Sequence, residues 1–284
     1  MDLSLQHPSA RLRRILSLCI LIPALVAAGL MTAAFFTQYD APDANYFARG
    51  AVLPVIACVC AALSALVGTV SALLLPRGSL QQNSLPIPSA SLDETIGFLF
   101  CAIFLAVSLV RDGSGLLRLI PLILSLIAVV YTLTVSFGKL SDEKTRRVAV
   151  PLGFSAVFAA IFLCAVHYFD RSLEMNAPCK VFLLLGLLAA TVCFTGEIRY
   201  LIGIASPRVY LMLLSWTVAA GALSIPAIPA AHFAGILSKT DYIASAFAVL
   251  GCLLTSAIRL WFFLGSNTDK PEETETDAQE DHTV

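Results

Sequence analysis

Two ionisable residues lie where a chain this apolar least tolerates them. Glu197 falls within VFLLLGLLAATVCFTGEIRYL, the run from Val181 to Leu201, and Arg259 lies inside the run from Tyr242 to Leu264. A carboxylate and a guanidinium at matching depth in two membrane-length runs have three possible uses. They form a structural pair, hold a small solute or ion, or relay a proton. Glu197 and Arg199 are two residues apart and project to roughly opposite sides of a helix, so Arg259 is the expected partner of Glu197. Thr195 and Thr255 bring hydroxyls to the same depth. The candidate intramembrane polar site is therefore Glu197, Arg259, Thr195 and Thr255, although a membrane hydroxyl also commonly bonds back to its own i−4 carbonyl.

Little else in the sequence suggests chemistry. Arg118 and His167 are read as interfacial counterparts near the other ends of the runs. A metal set of His167, His232, Asp170 and Cys179 would need distant loops to converge, and no metal-ligand spacing supports it, so no metal or cofactor is expected. Seven of the eight cysteines fall inside apolar runs and read as small packing residues rather than a disulfide framework. There is no phosphate-binding glycine loop, no HExxH, no GxSxG and no nucleophile beside a base, so the chain is expected not to be an enzyme. Without a basic domain, nucleic-acid binding is excluded as well.

What must position the polar residues is set by composition. The chain is 58% apolar and 13% charged, with a mean hydropathy of +0.85. That is a membrane composition, since soluble domains carry about 25% charged residues. A hydrocarbon core of about 30 Å needs roughly 20 apolar residues as helix. Eight runs qualify, at about 15–37, 51–75, 92–110, 116–137, 148–169, 181–203, 209–225 and 242–264. The first exceeds the 7–15 residues of a signal-peptide core and is expected to be a span. The second carries small residues at helical spacing (Ala57, Ala61, Ala65; Ser64, Gly68, Ala72) and is expected in the bundle interior. Ser91-Leu92-Asp93-Glu94 reads as a capping box opening the third run. Pro226 and Pro229 are expected to stop the seventh.

The expected architecture is an all-α polytopic transmembrane bundle of eight spans in residues 15–265. It is flanked by a short segment, 1–14, and by an acidic, disordered tail, 266–284. Twelve Lys and Arg fall on the side of the N-terminus and six on the other, which favours both termini in the cytoplasm. The most charged loop, KLSDEKTRR, places Lys139, Lys144, Arg146 and Arg147 on that side as a docking loop for a membrane or cytoplasmic protein partner. Two functions are expected. The favoured one is a non-catalytic membrane subunit or sensor scaffold acting through partners; the alternative is a small-solute permease or channel-like transporter with its site near Glu197. Small size and short loops fit a bacterial inner membrane.

Overall fold

The computed structural model describes residues 10–40, 46–75, 85–112, 115–138, 140, 142–233, 235, 237 and 239–265. Residues 1–9, Lys139 and the tail 266–284 lie outside the described residues. Eight helices follow in order: α1 (Ala10–Thr37), α2 (Leu53–Leu74), α3 (Ser91–Asp112), α4 (Leu116–Phe137), α5 (Glu143–Phe169), α6 (Pro178–Ile202), α7 (Pro207–Phe233) and α8 (Thr240–Gly265). All are long and apolar enough to cross a membrane. The only strand pairing among the described residues is a two-residue ribbon in which Tyr39–Asp40 pairs antiparallel with Tyr46–Phe47. The chain is a transmembrane helical bundle. Its outside is a jacket of exposed Leu, Ile, Val and Phe that faces lipid.

Two helices form the middle. Within its most apolar window α7 is 78% buried and α8 56%, against 28% for α1, α2 and α4. The remaining helices wrap around this pair, with α2 against α1, α1 against α8, α8 against α3, and then α4, α5 and α6 in turn. α7 earns the centre through its small residues. Ala219, Ala220, Gly221, Ala222 and Ser224 are all buried and let neighbouring backbones come close.

Three expectations change here. The seventh helix does not stop at Ile225; it passes through Pro226 and Pro229 to Phe233. Each proline removes one ladder bond, but Ala227, Ile228, Ala230 and Ala231 are buried beyond it, and packing keeps the helix going. The fifth helix starts at Glu143, five residues before its apolar run. The Asp142 side chain caps it by accepting from the Lys144 N–H at 3.3 Å, and Glu143 pairs with Arg147 at 2.6 Å. The second helix sits on the rim. Its small stripe does pack closely, with Ser64 donating to the Ile20 carbonyl at 2.8 Å and Gly68 against Ser215, yet Val55, Val59, Leu66 and Leu74 face outward.

Candidate functional site

The helix period places Cys193, Glu197 and Tyr200 on the buried face of α6 and Thr195 and Arg199 on the exposed face. Arg259 lies within the last two turns of α8, at the same end of the bundle. Its Nη1 donates to Glu197 Oε1 and to the Tyr210 hydroxyl at 3.1 Å, and its Nη2 donates to the Ser91 hydroxyl. Tyr131, near the end of α4, donates to Glu197 Oε2 at 3.3 Å. Glu197 and Arg259 are both fully buried. One guanidinium thus joins α3, α6, α7 and α8, and Tyr131 brings in α4.

Of the four candidate site residues, the structure brings Glu197 and Arg259 together. Thr195 is exposed and donates to the Thr191 carbonyl at 2.8 Å, away from the pair. Thr255 is buried and donates to the Ala90 carbonyl at 2.9 Å, which anchors the turn leading into α3. Of the docking residues, Lys144, Arg146 and Arg147 are exposed at the start of α5.

The structure adds residues that the sequence reading had placed elsewhere. Ser91 and Glu94 form no capping box. The Ser91 hydroxyl is taken by Arg259, and Glu94 turns inward, 1% exposed, with its carboxyl against that of Glu197. Glu94 is an electrostatic neighbour of both Glu197 and Arg259. The preceding 3₁₀ turn, Pro88–Ala90, is reached through Ile87 at φ 44°, a left-handed conformation unusual for a β-branched residue. That strain sits where the chain must deliver Ser91 and Ala90 to α8. Thr95 donates to the Thr132 hydroxyl at 2.8 Å one turn deeper. One guanidinium therefore faces two carboxyl groups in a site closed to solvent, and neutrality requires one more positive charge, a proton or a small cation. Tyr131 and Tyr210 were legible by depth alone, since each lies within two turns of the same bundle end as Glu197.

The other end of the bundle holds a second polar group. Asp170, in the α5–α6 loop, accepts from Lys239 at 2.6 Å, from the Ser172 hydroxyl at 2.7 Å and from Tyr242 at 3.2 Å. The buried Lys180 donates to its carbonyl at 2.7 Å. His167, expected at the interface, is fully buried with Nε2 2.6 Å from the Ser245 hydroxyl, and Arg118 reaches Asp241 at 2.8 Å rather than only the headgroups. His232 is bound to the Leu237 carbonyl at 2.9 Å and Cys179 is buried in the first turn of α6. Among the described residues no three His, Cys, Asp or Glu groups converge as a metal site.

Burial pushes the Asp170 carboxyl up, but the hydrogen bonds from Lys239 and Ser172 outweigh it and hold the group below the usual carboxylate range. The sign follows: the folded state binds the proton more weakly than the unfolded state. The contribution is fully present above about pH 5 and is lost as the pH falls below about 4. Asp170→Asn is expected to cost about 1 kcal/mol at neutral pH, given its partial exposure. It should also flatten the acid limb of a melting-temperature profile. An unchanged acid limb would remove Asp170 as its source.

The chain matches no protein-family model, no curated protein and no solved structure. The functional reading rests on the geometry above.

Proposed function

We propose that the chain is a non-catalytic multi-pass membrane subunit or sensor scaffold that acts through a protein partner. The observation that carries this reading is the closure of the ionic site. Arg259 commits both terminal nitrogens of its guanidinium to Glu197, Tyr210 and Ser91, which belong to three other helices, and both charges are fully buried. Groups so committed hold helices in register; they offer no vacant pair to a substrate. At the same bundle end Lys144 and Arg146 are exposed beside the Glu143–Arg147 pair, a net basic turn suited to an acidic partner surface. The two-to-one Lys and Arg bias supports placing that end, with both termini, on the cytoplasmic side, and small size and short loops fit a bacterial inner membrane.

One observation favours the second reading, a small-solute or proton-coupled permease. Glu94 is buried with its carboxyl against that of Glu197, and two buried carboxyl groups beside one guanidinium are the kind of site that exchanges a proton or cation during transport.

One experiment separates them: purification of the tagged chain from its native membrane in mild detergent, with mass spectrometry of near-stoichiometric companions. The scaffold reading expects a stable partner whose recovery falls about tenfold in a Lys144→Glu, Arg146→Glu, Arg147→Glu variant, three rim contacts of about 0.5 kcal/mol each. A monodisperse protein recovered alone would sink that reading and make Glu94 the first residue to change.

A further inference from the structure

The wrapping around α7 is open between α2 and α6. There a cavity of about 570 Å³ runs along the side of the bundle, walled by Ala61 and Ala65 of α2, Leu188 and Val192 of α6, and Trp216 and Ala220 of α7. The Trp216 indole N–H is already taken by the Thr69 hydroxyl at 3.0 Å, so that wall offers only apolar surface. Towards the bundle end that holds the ionic site, Val192 and Leu213 also line a second cavity of about 160 Å³, whose remaining wall includes Thr195, Arg199 and Ser206. Arg199 is exposed and makes no ion pair among the described residues.

These two cavities have one chemical complement. Along α6, Arg199 lies about 10 Å from Val192 and about 26 Å from Phe182, which lines the far part of the larger cavity. The groove is therefore longer than the roughly 15 Å of one leaflet, so an acyl chain whose head lies at Arg199 is walled along its whole length. Its volume lies in the range of built ligand sites. Apolar walls with a single unpaired guanidinium at one mouth match an amphiphile with one anionic head. A partner's wholly apolar helix would leave Arg199 without a counter-charge, whereas an anionic head supplies one.

We propose that this groove is a site for an anionic phospholipid, with one acyl chain between α2, α6 and α7 and the phosphate on Arg199. The site is independent of which protein partner the scaffold reading finds. Basic pockets between membrane helices recognise phosphate headgroups through charge-assisted hydrogen bonds, at about 1 kcal/mol per basic residue.

The test uses the full chain, purified in mild detergent and stripped of lipid, with lipid-bound fractions read by native mass spectrometry. Phosphatidylglycerol is expected to bind about fivefold more tightly than phosphatidylcholine of the same chains, and Arg199→Gln to abolish that difference while phosphatidylcholine binding stays. Leu188→Trp, narrowing the groove from its exposed edge, should weaken both lipids. Arg199→Lys should restore most of the preference. Equal binding of the two lipids, or a preference that survives Arg199→Gln, would overturn the proposal. So would competition by glycerol 3-phosphate alone, which would make the site one for a free phosphate. A photo-crosslinker at position 188 in native membranes should yield a phospholipid adduct; a protein adduct in its place would give the groove to a partner's helix and overturn the lipid assignment.

Discussion

An Arg259→Met variant is expected to lose about 3–5 kcal/mol of stability, the cost of removing one partner from a buried ion pair. The change leaves Glu197 and Glu94 buried without a cation and takes the donor away from Ser91 and Tyr210. Glu197→Gln should cost clearly less. Two carboxyl groups share one guanidinium, so losing one acid still leaves Glu94 beside Arg259, while losing the base leaves both acids uncompensated. The double variant Glu197→Met, Arg259→Met should recover only part of the loss, because it removes the pair together but still leaves Glu94 buried without the guanidinium; adding Glu94→Gln should recover most of the rest. Melting temperature in detergent and yield from the membrane both report this order. Equal damage from Glu197→Gln and Arg259→Met would show that Glu94 takes no part in the charge balance, and a stable Arg259→Met would remove the pair as a structural lock.

The spans were legible wherever hydropathy alone decides their ends. α4 runs from Leu116 to Phe137 in both readings, bounded by Gly115 and Gly138. The ends shifted where another force acts: a carboxylate cap extends α5 into a charged loop, and burial carries α7 through two prolines. The small stripe on α2 identified a contact face correctly but not the helix's place, since a rim helix also needs one close-packed side. Within the site, depth along the helix identified Glu197 and Arg259. The spacing rule that separates Glu197 from Arg199 also puts Thr195, two residues before, on the outer face with Arg199, which is where it stands. Ser91 and Glu94 were hidden by ambiguity. The pattern S-x-x-E at a helix start satisfies a capping box, and only the arrival of Arg259 from α8 shows that both side chains are used across the bundle instead.

That arrival depends on how closely α3 and α8 approach, which makes Gly251 the second position of large effect. A Cβ on Gly251 would stand 2.6 Å from the Asp93 carbonyl oxygen, 3.0 Å from the Glu94 Cα and 3.1 Å from the Gly97 Cα. One on Gly97 would stand 2.7 Å from the Phe247 carbonyl oxygen and 3.0 Å from the Gly251 Cα. The obstacles are backbone atoms that no rotamer change moves, so the helices themselves must separate. Gly251→Ala is expected to cost about 1–3 kcal/mol by overpacking, and Gly251→Leu to prevent stable assembly. Because Glu94 is on the α3 segment pushed away and Arg259 lies two turns beyond Gly251 on α8, the damage reaches the ionic site. Combining Gly251→Ala with Arg259→Met should therefore cost less than the two changes added separately, since the first already loosens what the second removes. Melting temperatures of the single and double variants measure that coupling. Strict additivity would mean that the α3–α8 crossing and the Glu94–Glu197–Arg259 site are independent, and that the close glycine contact serves packing alone.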